Sequence, residues 1–305
     1  MFVTVTVQVV VLIILIFLGF LCAKAKILGD TGVKNITELV LTFVTPAVII
    51  KSFIREFEVS VLKSLLFSFL IAISAHILFI ALSFVFVRSK DRNAERVLRF
   101  AVVFSNSGFM ALPLQQALLG DDGVFYGSSY ITIFNVFVWT YGIMLMSGNK
   151  EKLTAKKILL NPGIIAFFIG LVIFLFSIPI PKVIKLPIEY LAPLNTPLPM
   201  IIIGYHLANS QLKKVFKSFS NILAIILRLV VFPAIGIAVL YLCGVRGTIL
   251  ISSAISFSAP VAAMSTMFAA KFGGDTELSV SLVSVTTLLS VITMPIIITL
   301  TQYIA

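Results

Sequence analysis

The sequence predicts an all-α polytopic membrane protein of about ten transmembrane helices, arranged as a 5+5 inverted repeat with broken, crossing fourth and ninth helices. Three observations predict it. The composition is far from soluble: 60% of the 305 residues are hydrophobic and 11% are charged, where soluble domains carry about 25% charged residues. Lysine and arginine gather in alternate gaps between long apolar runs. A pattern of polar residues, proline and Gly-Asp occurs twice, half a chain apart.

A span consumes about 20 apolar residues, so the chain has no room for a sizeable soluble domain and its chemistry lies within the membrane. Breaking the apolar stretches at charged or Gly/Pro-rich clusters gives spans at 5–23, 35–54, 61–87, 97–119, 123–147, 162–180, 187–209, 219–243, 247–271 and 277–302. The first is about 19 residues long and lacks a basic stretch before it, so it reads as a retained helix and not a secretory signal.

A net charge of +11 in a soluble chain suggests nucleic acid, but here the charge is a topology signal and no nucleic-acid partner is expected. The loops after spans 1, 3, 5, 7 and 9 hold Lys24, Lys26 and Lys34; Arg88, Lys90, Arg92, Arg96 and Arg99; Lys150, Lys152, Lys156 and Lys157; Lys213, Lys214 and Lys217; and Lys271. The opposite loops hold only Lys51, Arg55, Lys63, Lys182, Lys185 and Arg246. Positive charge accumulates on the cytoplasmic side, so both termini are expected outside a cytoplasmic membrane crossed many times. Cys22 and Cys243, at the ends of apolar runs, have no metal or disulfide spacing and read as packing residues.

The halves, residues 1–149 and 150–305, repeat one another. Phe104 to Leu119 reads FSNSGFMALPLQQALL before Gly120-Asp121, and Phe257 to Phe272 reads FSAPVAAMSTMFAAKF before Gly273-Gly274-Asp275. Pro46 and Pro199 likewise interrupt the second span of each half. Five spans is an odd number, so the second half starts on the other side of the membrane and the repeat is inverted.

Proline removes a backbone donor and frees carbonyls one turn back. Within hydrocarbon, freed groups are tolerated only where protein or a watery cavity satisfies them, so paired interrupted helices point to a substrate site near the midplane. If the two spans cross at their breaks, Ser105, Asn106, Ser107 and Gly108 meet Ser256, Ser258 and Ser265. Half-helix N-termini after Pro113 and Pro260 then offer amides and positive dipole ends to an anion. Gln115 and Gln116 follow the first break, and one of the two is expected to face inward; Gln116 is taken as the substrate-facing one. Asn135, Asn195, Thr196 and Asn209 suit bonds between helices. His76 and His206 lack ligands at metal spacing and read as packed histidines. Arg228, about ten residues into the eighth span, requires a cavity, a partner or snorkelling. Carboxylates fall only at span ends, which leaves little for a carboxylate proton relay.

The stretch Ser105-Asn106-Ser107-Gly108-Phe109 with Leu112-Pro113, then Asn161-Pro162, then Ala259-Pro260-Val261-Ala262 with Gly273-Gly274-Asp275 resembles the auxin efflux carrier family, which includes PIN carriers and bacterial malate or malonate permeases. The resemblance covers nearly the whole chain. It implies a scaffold domain, a transport domain with crossing fourth and ninth helices, elevator-like movement and a dimer. It also implies that Asn106 is a substrate-contacting amide. Where family members often carry Thr-Asn after the second proline, this chain has Ala263 and Met264; Ser265 and Thr266 stand nearby as substitutes.

The expected function is secondary transport of a small organic anion. The expected substrate-binding residues are Asn106, Ser105, Ser107, Gly108, Pro113, Gln116, Ser258, Pro260 and Ser265. No cofactor is expected, and the coupling ion is left between Na⁺ and H⁺. A sodium-coupled symporter of the bile-acid carrier type is the alternative, because carbonyls and Asn or Ser oxygens at the breaks can hold Na⁺. An intramembrane lipid-modifying enzyme would need a metal or acid/base cluster at one depth. The sequence has no HExxH and no Ser/His/Asp grouping, so no enzyme is expected.

Overall fold

The structure is a computed structural model that describes residues 2–148, 159–209, 215–216 and 218–305. The loop lysines Lys150, Lys152, Lys156, Lys157, Lys213, Lys214 and Lys217, and the boundary set between 149 and 150, lie outside these residues. The described chain is helical: α1 (Phe2–Lys24), α2 (Asp30–Phe53), α3 (Val59–Phe86), α4 (Arg92–Val103), α5 (Ser107–Ser147) and α6 (Pro162–Leu175). Then follow α7 (Lys182–Leu191), α8 (Pro197–Ala208), α9 (Phe219–Leu242), α10 (Gly247–Ser258), α11 (Met264–Phe272) and α12 (Thr276–Ile304).

Helices α2, α3, α5, α9 and α12 are long and apolar enough to cross a membrane; α6, α10 and the Val10–Lys24 part of α1 are shorter and apolar. At 1.5 Å per residue a straight α5 would run about 60 Å, twice a bilayer core. Gly120 prevents that. Its φ of 62° and ψ of −149° break the helix there, between the fourth and fifth expected spans, and such a conformation costs glycine little. Salt bridges tie this break to the end of α2, Lys51 Nζ to Asp121 at 3.2 Å and Arg55 to Asp122 at 2.6 Å.

Prolines are accommodated in a repeated way. Wide turns at Val40–Val44, Ser107–Ala111 and Leu227–Val231 each end two residues before a proline: Pro46, Pro113 and Pro233. In each, the N–H that follows the turn donates five residues back, Thr45 to Val40, Leu112 to Ser107 and Phe232 to Leu227. A proline ring displaces the carbonyl four residues before it, and opening the helix by one residue relieves the clash without ending it. Pro46 and Pro113 therefore do not break their helices. In the second half the chain does break, through a tight turn at Ala192–Asn195 between α7 and α8.

Three cores hold the bundle together. The largest packs Phe79, Phe100, Phe104, Phe232, Phe257 and Phe268 from α3, α4, α9, α10 and α11 together with Leu282 and Val285 of α12. A second joins α1 and α8 through Leu12, Ile16, Met200 and Ile203, and reaches Phe109 and Met110 of α5. A third packs the end of α2 on α6 and α5 through Phe53, Phe125, Phe167 and Phe174.

Candidate functional site

Asp91 caps the start of α4 by accepting from the Asn93 N–H at 2.8 Å, and α4 ends at Phe104, where φ is −99° and ψ 112°. α10 ends at Ala259, φ −62° and ψ 147°. The proline ring of Pro260 pushes the preceding residue out of the helical region. The two extended ends meet. Ser105 and Val261 form an antiparallel bridge in which the Asn106 N–H donates to the Pro260 carbonyl at 2.7 Å and the Ala262 N–H to the Phe104 carbonyl at 2.9 Å. The Val261 N–H donates to Thr286 Oγ1 of α12 at 3.2 Å.

Four further carbonyls at this crossing accept from Arg228, a fully buried side chain of α9. Its Nε donates to the Ala259 carbonyl at 3.1 Å, Nη1 to those of Val102 and Val103 at 3.1 and 3.4 Å, and Nη2 to that of Phe257. Snorkelling is thus not how Arg228 is accommodated. His76 of α3 is also fully buried. Its Nδ1 lies 2.8 Å from the Ala72 carbonyl, and its ring packs among Phe104, Tyr130, Phe134 and Phe137.

The half-helix that follows the first break starts at Ser107, six residues ahead of Pro113, which the wide turn absorbs. Asn106 caps it, with Oδ1 accepting from the Phe109 N–H at 3.4 Å. That bond leaves the Nδ2 hydrogens for other partners. The half-helix after the second break, α11, follows Ala263 with no side-chain cap.

A cavity of about 90 Å³ opens beside these two N-termini. One wall is Asn106, Phe109 and Ala263 with Val283, Ser284 and Thr287 of α12; the other is Thr37 of α2 and Ile202, Ile203, His206 and Leu207 of α8. Asn106 is the expected site residue that lines it. Ser105 donates to Tyr130 at 3.4 Å, Ser107 is buried with an unpartnered hydroxyl, and Gly108 lies in the wide turn. Ser258 donates to Ala254 of its own helix at 2.7 Å, and Ser265 accepts from Ser279 Oγ at 2.7 Å, which ties α11 to α12. Pro260 supplies the bridge carbonyl. Pro113 lies buried in α5, and Gln116 donates to Asp121 at 3.2 Å beside the break at Gly120.

Of the two glutamines, Gln115 is the buried one: Nε2 donates to the Ser252 carbonyl and hydroxyl and to Ser256 Oγ of α10, at 2.9, 3.0 and 3.0 Å. Gln115→Ala is expected to lower stability by about 2 kcal/mol, because it strands these groups and opens a void. Its melting temperature in detergent should fall clearly below that of Gln116→Ala. Asn161 of the Asn-Pro pair is likewise an architectural cap, accepting from the Gly163 and Ile164 N–H groups at 2.9 and 3.3 Å and donating to Asn135 at 3.1 Å. Thr37, Ser284 and Thr287 are cavity residues that sequence reasoning missed, and His206, read from the sequence as a packed histidine, lines the cavity too. For two of them a signal existed, since Ser281, Ser284, Thr287 and Ser290 recur three apart on α12. Among the described residues no group of His, Cys, Asp or Glu could hold a metal ion.

Relatives agree with a membrane role. The chain is 22% identical over 288 residues to an uncharacterized transporter of Methanothermobacter thermautotrophicus, covering 93% of this chain and 94% of that one. It is 23% identical over 295 residues to an uncharacterized transporter of Methanocaldococcus jannaschii, with the same coverage. Residues 4–298 match the family described as membrane transport protein. With apolar helices long enough to span a bilayer and a family match along nearly its whole length, the chain belongs to the membrane transport protein family, that of the auxin efflux carriers its broken helices resemble.

Proposed function

We propose that the protein is a secondary transporter that moves a small organic anion, a carboxylate, across the cytoplasmic membrane by alternating access. The observation that carries this reading is the cavity beside Asn106 and the uncapped start of α11. Two helix N-termini put partial positive charge at its edge, and the Asn106 amide supplies hydrogen-bond donors. None of the described lining residues is an Asp or Glu that would repel an anion. The volume suits a solute of few heavy atoms.

In this reading the chain is a ten-span inverted repeat, residues 1–149 and 150–305, with both termini outside. Helices α3, α4, α5 and α9 to α12 slide as one body against α1, α2, α6, α7 and α8, in an elevator-like movement that carries Asn106 across. A homodimer through the second body is part of the proposal.

The test is counterflow of labelled dicarboxylates, indole acetate and short monocarboxylates in proteoliposomes, with and without Na⁺. Specific exchange of one class is expected. Asn106→Ala should weaken binding by about 1 to 3 kcal/mol through loss of a buried hydrogen bond, with folded protein still recovered at a melting temperature lowered by the loss of the Asn106 cap, a cost of about 1 kcal/mol. Unchanged exchange in that variant removes Asn106 from the site. No exchange of any carboxylate by folded protein overturns the anion reading.

A further inference from the structure

We propose that Arg228 is the resident cation of the helix crossing: a tethered charge that fills the place where two half-helix C-termini converge, so that the crossing itself has no vacant seat for an inorganic cation. The consequence for ion coupling rests on the transport reading above, whereas the binding test below does not.

The last turns of α4 and α10 end in mid-bundle with carbonyls that have no partner in their own helices. The two bridge bonds take the carbonyls of Phe104 and Pro260. Those of Val102, Val103, Phe257 and Ala259 converge on the single guanidinium. Each helix end carries about half a unit of negative charge, so two of them sum to about one charge of the opposite sign to arginine. That explains how a fully buried arginine persists here with no carboxylate among its described partners, when a buried charge ordinarily requires one.

A cluster of carbonyls around a point of converging negative dipoles is also how a protein binds a small metal cation. At this crossing those oxygens are already engaged by nitrogen donors, and the charge is already supplied. Arg228 is therefore a positioning residue. It holds both breaks in register, and with them Asn106 on one and Ala263 on the other.

The two halves share this device unequally. The repeat offset that relates Phe104 to Phe257 and Pro46 to Pro199 puts Arg228 opposite Ala75, adjacent to His76. His76 turns its Nδ1 to its own helix, and one arginine from the second half serves both helix ends.

Vacating the position should create a cation site. Arg228→Ala protein, purified in detergent, is melted in rising millimolar guanidinium or methylguanidinium chloride, with NaCl, KCl and choline chloride in parallel. A fall of about 10 °C in melting temperature is expected from stranding four carbonyls. Guanidinium should restore it saturably in the variant and leave wild type unmoved, and choline should do nothing. A variant that folds and is not restored by guanidinium overturns the proposal. Where Arg228→Ala yields no folded protein, Arg228→Lys, which keeps the charge, is compared with Arg228→Met, which keeps only the bulk. Greater stability of the lysine variant upholds a cation at the crossing, and methionine equal to or better than lysine overturns it.

Discussion

Gly204→Leu should abolish recovery of folded protein. A Cβ built on Gly204 lands on the main chain of α1, against the Ile16 carbonyl and 2.7 Å from the Phe20 nitrogen, and one built on Gly19 lies 2.7 Å from Ile201 Cα. Each obstacle is backbone, which has no rotamer to move aside, so the helices must separate. Lipid is as apolar as the side chains it would replace, so close packing and not hydrophobicity holds two membrane helices together. A separation of even 1 Å forfeits a large share of the dispersion energy along the seam. Overpacking of this kind costs about 3 kcal/mol, and the two glycines face each other, so no neighbouring gap absorbs the strain. Size-exclusion profiles should show aggregate or no peak for Gly204→Leu and a reduced melting temperature for Gly204→Ala. Gly29→Ala is the control: its Cβ meets nothing within 4 Å and its φ of −116° suits any residue. A normal monodisperse peak from Gly204→Leu would show that the α1–α8 seam contributes little. The seam matters for the site because α8 carries Ile202, Ile203 and His206 of the cavity wall.

Much of this was legible in the sequence, and the limits were physical. The helical, apolar character followed from composition. The two motifs beginning Phe-Ser located the crossing within a few residues, because proline and the residue before it have few backbone options. The same logic misplaced the start of the first half-helix. Pro113 lacks an N–H but sits two residues after a wide turn that had already relieved its clash, and nothing in one sequence distinguishes a proline that breaks from one that is accommodated. Arg228 was visible as a charge needing an explanation, yet the explanation lies in carbonyls, which every residue has and no sequence displays. Gln115 and Gln116 are neighbours of identical chemistry. Which one turned inward was decided by α10, more than a hundred residues away. The far wall of the cavity was invisible for the same reason, since Ile202 and Ile203 read as ordinary span residues.

That far wall gives the proposed sliding movement its sharpest consequence. Ile203 and Phe109 line the same cavity and belong to the two different bodies of the proposed movement, so on that reading joining them should stop transport outright. With Cys22 and Cys243 replaced, since one is half-buried and the other exposed, the pair Ile203→Cys and Phe109→Cys is bridged in proteoliposomes with a bifunctional thiosulfonate. Exchange should fall to the level of empty liposomes and return when dithiothreitol cleaves the bridge. The control pair joins groups within one body: Thr266→Cys and Ser279→Cys replace hydroxyls 3.3 Å apart on α11 and α12, and bridging them should leave exchange unchanged. Two bodies that slide cannot tolerate the first tether and are indifferent to the second. Full exchange through a completely bridged 109–203 pair would mean that the cavity walls do not move past each other. Access would then have to alternate by local gating around a stationary Asn106. Arrest by both tethers would instead indicate that α11 and α12 shift within the body that carries the crossing. The bonds that tie these two helices down argue against that: Ser279 of α12 donates to Ser265 of α11 at 2.7 Å, and Thr286 of α12 accepts from the Val261 N–H of the bridge at 3.2 Å, so a shift of α12 against α11 loses both at once.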